Sequence, residues 1–345
     1  MKAVRFHEPG GLEKLLYEDA PDPIIGDTEV LVRVRACALN HLDIWSRSGS
    51  RGGDNVPLPH ISGGDIAGEV VERGKSAKSL TNDEKVIVAP GISCGLCRYC
   101  RSGWDSLCPE FKIVGYQTQG GYAEYVAVPS GNLLPIPDKL SFEEAASVPL
   151  VFLTAWHMLR TRASLKPGEN VLVWGAGSGV GVAAIQVAKL LGASTVISTV
   201  GEDEKKEKAV GLGSDHVLNH YKEDVPAEVK RLTDGRKVDV VFDHVGTATW
   251  ERSMRCLAPG GRLVNCGVTS GGKAEVDIRY VFTRQFSLLG SYMGGFAELQ
   301  EVLQFFNDGR LKPVVDSVFP LKDAPKAQER MEKSQQFGKI VLKVA

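Results

Sequence analysis

Apolar and polar positions change period along this chain. Up to about residue 130 the period is two, in short runs broken by Gly and Pro. EVLVRVRAC (Glu29–Cys37) alternates as a half-buried strand does, and DEKVIVAP and GGYAEYVAVP repeat the pattern. These runs predict a compact, largely β domain. Near residue 142 the pattern turns helical. SFEEAASVPLVFLTAWHMLR lacks turn residues except Pro149, and Ser141 with Glu144 forms a capping box at its start.

From Asn170 strands and helices alternate. VLVW (Val171–Trp174) is a continuous apolar run, as a strand buried on both faces requires. Val180, Ala184, Val187, Ala188 and Leu191 then recur at helical spacing, and Gly192 ends the helix. TVIST, a charged helix from Glu202, HVLN, another helix, DVVFD (Asp239–Asp243), a helix from Thr249, RLVNCG and FSLLG follow. The fold class is therefore α/β, with a doubly wound parallel sheet behind a β domain. FAELQEVLQFFNDG predicts a further helix. The terminal KIVLKV predicts a strand that returns to the first domain. No repeat of 20–50 residues and no low-complexity tract interrupts the pattern.

Composition narrows the partners. The 345 residues accommodate two domains, and 43% of them are hydrophobic, which is ordinary for a globular protein. Lys plus Arg is 41 against 42 for Asp plus Glu, a net charge of −1. That balance supplies no basic field, so nucleic acid is not an expected partner. No run approaches the roughly 20 apolar residues of a membrane span, so no membrane partner is expected. MKAVRFHEPGG carries no apolar core of a secretory signal, and a cytoplasmic setting is expected.

The cysteines alter that picture. There are seven, an odd number that fits reduced thiols better than a disulfide framework. Cys94, Cys97, Cys100 and Cys108 are spaced C-x2-C-x2-C-x7-C. Four thiolates gathered over so short a loop suit tetrahedral zinc at little loop entropy. With all four positions filled by protein, no coordination place is left for water or substrate. Such a zinc shapes a lobe and does not catalyse.

VLVWGAGSGVG follows a strand and opens a helix. The register Ala176-x-Ser178-x-x-Gly181, with Gly177, Gly179 and Val180 between, matches a dinucleotide-binding turn. Small residues permit the tight turn and let backbone N–H groups approach a pyrophosphate, and Gly181 lets helix and strand pack closely. The place usually held by an acid that binds the ribose 2′-hydroxyl falls near Val200. Lys205 and Lys206 lie just beyond, and either suits a 2′-phosphate. This favours NADP(H), although Glu202 and Asp203 would favour NAD(H) after a small register shift.

Together PGISCGLCRYCRSGWDSLC, the Ala176–Gly181 loop, GGDIAGEVVERG, GGYAEYVAVP and FGKIVLKV resemble the medium-chain dehydrogenase/reductase superfamily, across essentially the whole chain. The resemblance implies a GroES-like catalytic domain over 1–140 and 300–345, with the zinc lobe at about 90–112. It implies a Rossmann domain over 141–299 and an active cleft between the two. Zinc alcohol dehydrogenases of this superfamily carry a second, catalytic zinc on two Cys and one His. Asn40, Gly64 and Leu150, or a neighbour of Leu150, stand at those positions here, so the usual site cannot form. His41, His60, Asp65 and His157 lie in the same segments and offer an atypical site. LNHLD resembles the Val-Asn-Pro-x-Asp stretch of quinone oxidoreductases, where the Asn lies beside nicotinamide and substrate. Asn40 is thus a catalytic candidate, or a turn-stabilising amide. Asp43 either orients a neighbour or makes a surface salt bridge. Trp45 either walls the site or packs in the core.

Without a zinc to absorb charge, a plain ketone is a hard hydride acceptor, whereas a quinone or an α,β-unsaturated carbonyl carries its own electron sink. The expected activity is NADPH-dependent reduction of such a molecule. An alcohol dehydrogenase with an atypical zinc and a cofactor-binding protein without turnover are the alternatives. Loops around 45–60, 110–120 and 270–285 would shape the substrate pocket. FSLLGSYMGG (Phe286–Gly295) resembles the edge strand that joins Rossmann domains, which implies a homodimer or homotetramer.

Overall fold

The computed structural model describes residues 1–49, 56–77 and 81–344; residues 50–55 of the 45–60 loop lie outside the described residues. The chain forms two compact units. The first comprises Met1–Leu150 and Gly294–Ala345, and the second Val151–Met293.

The first unit is built on Glu29–Ala38. Its alternation buries Val30, Val32 and Val34 completely, and the inward face packs with Phe6, Ile66 and Tyr122. This strand pairs antiparallel with Asp65–Arg73, Tyr125–Pro129 and the terminal Lys339–Lys343. Val341 lies opposite Ala38 and Leu342 opposite Cys37, so the end of the chain completes the sheet begun near its start. Among the described residues this sheet has seven strands. Phe142–Ala146 belongs to this unit. Ser141 caps it as expected, accepting from the Glu144 N–H, and Ala145 and Ala146 are fully buried.

The second unit is a six-stranded parallel sheet. Its order is His216–Asn219, Thr195–Val200, Asn170–Val173, Val238–Asp243, Leu257–Asn265, Ser287–Gly290. Every residue of Asn170–Val173 is buried, because helices cover both faces. Chain order reverses between Asn170–Val173 and Val238–Asp243. A crevice therefore opens outside the carboxyl ends of these two strands. The charged segment after Glu202 begins as a tight turn, Asp203–Lys205, and becomes α-helical over Lys206–Gly211. The next-but-one helix begins at Thr247, not Thr249, because Gly246 (φ +92°) makes the turn into it. Among the described residues no helix is long and apolar enough to cross a membrane.

Candidate active site and metal centre

The four-cysteine lobe is assembled as its spacing requires. The Sγ atoms of Cys94, Cys97, Cys100 and Cys108 all lie within 4.8 Å of one another. Cys97 and Cys100 are 3.5 Å apart, and Cys94 and Cys100 3.9 Å. Zinc–thiolate bonds of about 2.3 Å put tetrahedral sulfurs about 3.8 Å apart, so the residues present fit zinc. Backbone donors turn toward the sulfurs: Cys94 N–H and Glu110 N–H to Cys108, and Cys97 N–H to Cys94, each at 3.4 Å. N–H groups of Leu96 and Cys97 hold the Cys94 thiol down at about 7, toward the thiolate. Among the described residues this is the one such convergence of His, Cys, Asp or Glu ligands. The seven cysteines form no disulfide. Asp105, within the lobe, accepts the N–H of Phe296 at 2.8 Å, where the helix Phe296–Asn307 begins.

The three positions that would hold a catalytic zinc are occupied differently. Asn40 is the N-cap of His41–Ser48 and is buried. Its Nδ2 donates to Asp65 Oδ2 at 2.9 Å, and its Oδ1 accepts from Lys339 Nζ at 2.6 Å. Lys339 also donates to Asp65 Oδ2 at 2.8 Å and to the Leu39 carbonyl at 2.6 Å. Lys339 is 3% exposed and Asp65 0%. The Leu150 N–H donates to Asp65 Oδ1 at 2.8 Å. At Gly64, a Cβ would lie 2.7 Å from the Val114 carbonyl oxygen. Any side chain there, histidine included, would require the backbone to move.

The structure places the other candidates in this segment as follows. Asp43 makes no surface salt bridge; it is 2% exposed. One carboxylate oxygen accepts the Asn40 N–H at 2.8 Å and the Tyr122 hydroxyl at 3.2 Å, and the other accepts the Gly63 N–H at 3.1 Å. Burial pushes its pKa up to about 6 despite those bonds. Asp43 thereby holds the Asn40 backbone N–H. Trp45 is half-buried, with its ring 6.2 Å from that of His41 one turn earlier. His60 is fully buried with Nε2 on the Gly115 carbonyl at 3.0 Å, and burial pushes its pKa down to about 4. Lys339 was missed in the sequence, where a lysine opening a strand reads as a solvated end.

In the second unit the glycine loop lies at the crevice. Ala176 is fully buried, with its N–H on the Thr199 carbonyl at 2.7 Å. Ser178 caps the helix Gly179–Leu190: its Oγ accepts the Gly181 N–H at 2.9 Å and donates to the Gly175 carbonyl at 2.8 Å. A Cβ on Gly181 would fall 2.2 Å from the Gly175 oxygen, so only glycine permits this close turn. Gly177, Gly179 and Val180 remain partly exposed beside it. This is the cradle a pyrophosphate needs: bare backbone at a helix N-terminus. His244, which sequence reasoning missed, follows Asp243 into the same place. Its Nε2 lies 3.0 Å from the Trp174 carbonyl and 3.1 Å from Ser178 Oγ. Only the strand order brings residues 174 and 244 together. At the end of the second strand, Lys205 pairs with Glu202 at 3.2 Å, and Lys206 with Glu223 at 3.0 Å and Asp203 at 3.4 Å. Each lysine at this edge is thus matched by an acid.

Residues 26–138 match the alcohol dehydrogenase GroES-like domain, and residues 179–308 the zinc-binding dehydrogenase family. An NAD-dependent alcohol dehydrogenase of Sulfolobus acidocaldarius is 35% identical, covering all of both chains. A crotonyl-CoA carboxylase/reductase of Cereibacter sphaeroides is 32% identical over 97% of this chain and 84% of that protein. Human quinone oxidoreductase is 29% identical over 99% and 97%. The crystal structure of an NAD-dependent alcohol dehydrogenase superposes over the whole of both chains, with a TM-score of 0.96 and 45% identity.

Proposed function

The chain belongs to the medium-chain dehydrogenase/reductase superfamily of oxidoreductases, and from that premise we propose that it reduces a quinone or an α,β-unsaturated carbonyl with NADP(H), without a catalytic zinc. One observation carries the reading. Asp65, which bonds both Asn40 and Leu150, is already consumed by an ammonium, an amide and a backbone N–H, while Gly64 has no room for a side chain. A buried cation with its counter-ion stands where a metal would need free donors. The crotonyl-CoA and quinone relatives are named for conjugated substrates, which is consistent with this chemistry.

The nicotinamide nucleotide, when bound, supplies a hydride. The Gly177–Gly181 turn would hold its pyrophosphate on backbone N–H groups, and the cap made by Ser178 fixes that turn. Asn40 would offer its amide to the substrate oxygen. Lys205 would meet a 2′-phosphate after exchanging its Glu202 partner. That exchange also supports a second reading, NAD(H), in which Glu202 binds the ribose hydroxyls instead. An alcohol dehydrogenase remains the second activity, supported by the identity of the NAD-dependent relatives. Titration with NADPH and NADH, turnover against quinones, enones, alcohols and ketones, and zinc analysis together test the proposal. About one zinc per chain with NADPH-dependent enone or quinone turnover is expected. About two zincs with alcohol oxidation would overturn it.

A homodimer or homotetramer is part of the same proposal. Ser287–Gly290 is an edge strand, and Tyr280, Phe282 and Tyr292 beside it in sequence are exposed. An edge strand with such neighbours suits pairing with a second copy.

A further inference from the structure

We infer that Lys339 and Asp65 are positioning residues that make Asn40 a polarised donor, giving this site the oxyanion stabilisation it would otherwise lack. The inference rests on the reduction proposed above. An ammonium has three N–H donors, and Lys339 spends all three: on the Leu39 carbonyl, Asn40 Oδ1 and Asp65 Oδ2. The amide of Asn40 is thereby held in one orientation. Its oxygen faces a cation at 2.6 Å and one N–H faces a carboxylate at 2.9 Å. Turned over, it would set an NH2 against the ammonium and a carbonyl against the carboxylate.

Among the described residues, one hydrogen on Asn40 Nδ2 remains without an acceptor. A cation on the amide oxygen draws density from the nitrogen and strengthens that remaining donor, as hydrogen-bonded chains polarise one another. The geometry is also more than packing requires. A buried ion pair is rarely more stable than apolar side chains of the same volume, so stability alone does not account for it.

In the reaction, the hydride adds two electrons and a proton to the β-carbon of the enone. The C=C pair moves to the carbonyl oxygen as an enolate, and the nicotinamide is oxidised. The Asn40 N–H bonds the developing oxyanion. Solvent then protonates the α-carbon, and the carbonyl re-forms.

The test uses the full chain, single-turnover hydride transfer, and para-substituted 4-phenyl-3-buten-2-ones as probes. Asn40→Ala should slow transfer about 100-fold, the scale of losing one oxyanion donor. Lys339→Met should slow it about 10- to 100-fold with substrate affinity within about threefold, and should steepen the dependence of rate on electron withdrawal by the para group. Lys339→Arg should recover part of the rate. The double variant Asn40→Ala/Lys339→Met should be no slower than Asn40→Ala alone, since Lys339 acts through Asn40. Asp65→Leu/Lys339→Met removes both charges and leaves none orphaned. It should fold, by circular dichroism and thermal unfolding, yet show the same loss. Additive effects in the Asn40/Lys339 double variant, or wild-type rates in the Asp65/Lys339 double variant, would overturn the inference alone. Wild-type protein that turns over no quinone or enone would overturn both it and the proposed function.

Discussion

Asp43 makes the sharpest test of how this site is held. It is a carboxylate in a fully enclosed position, and burial has raised its pKa from an ordinary 3.8 to about 6. The folded state therefore binds a proton more tightly than the unfolded chain does. Stability from this group is fully present below about pH 4 and is lost as pH rises through about 6. A rise from 3.8 to about 6, at about 1.4 kcal/mol per pH unit, amounts to about 3 kcal/mol. Asp43→Asn removes the titration while keeping the shape. It also removes one acceptor of the three bonds from Asn40, Gly63 and Tyr122, a loss that does not vary with pH. The slope, not the offset, carries the information. Urea unfolding of both proteins at half-unit steps from pH 4 to 7.5 should show wild type losing about 2.5 kcal/mol relative to Asp43→Asn across the range. Carboxylates that titrate elsewhere are common to both and cancel. A difference that stays flat, or rises with pH, would refute the argument that desolvation outweighs the bonds to this carboxylate.

Cys100→Ser should drop zinc from about one per chain to near zero and open the lobe to trypsin at Arg98 or Arg101, read by mass spectrometry of the fragments. Gly64→His should not raise zinc content, and should cost about 3 kcal/mol or more in unfolding experiments because its Cβ meets the Val114 oxygen. Ser178→Ala should cost about 1 kcal/mol in the lost cap and weaken dinucleotide binding about fivefold by fluorescence titration, since Ser178 Oγ joins Gly175 to Gly181.

The strands were legible because burial on one face leaves a period of two, as in Glu29–Ala38, and burial on both leaves an apolar run, as in Val171–Val173. The four-cysteine lobe and the glycine turn were legible because their chemistry is local: four thiols within fifteen residues, and a cap that reaches only from Ser178 to Gly181. Asp43 stayed open between two readings because His41–Ser48 inverts the usual rule. This helix buries Asp43, Ser46 and Arg47, and the partners that make this tolerable come from afar. Arg47 bonds Gln328 and the Gly10 carbonyl, and Asp43 bonds Gly63 and Tyr122. Lys339 was hidden for the same reason. Its partners lie near residues 40 and 65, and nothing in KIVLKV announces them. His244 needed the sheet order before it could be set beside Ser178.

The pairing of Lys339–Lys343 with Ala36–Ala38 has a consequence for synthesis on the ribosome. Until Lys339–Lys343 emerge, Ala36–Ala38 lack a backbone partner on one side, and Asp65 waits without its counter-charge. Open flanks of this kind recruit other nascent chains. A stop codon or frameshift ahead of Lys339 would leave Val151–Met293 intact in sequence, yet yield a polypeptide prone to clump.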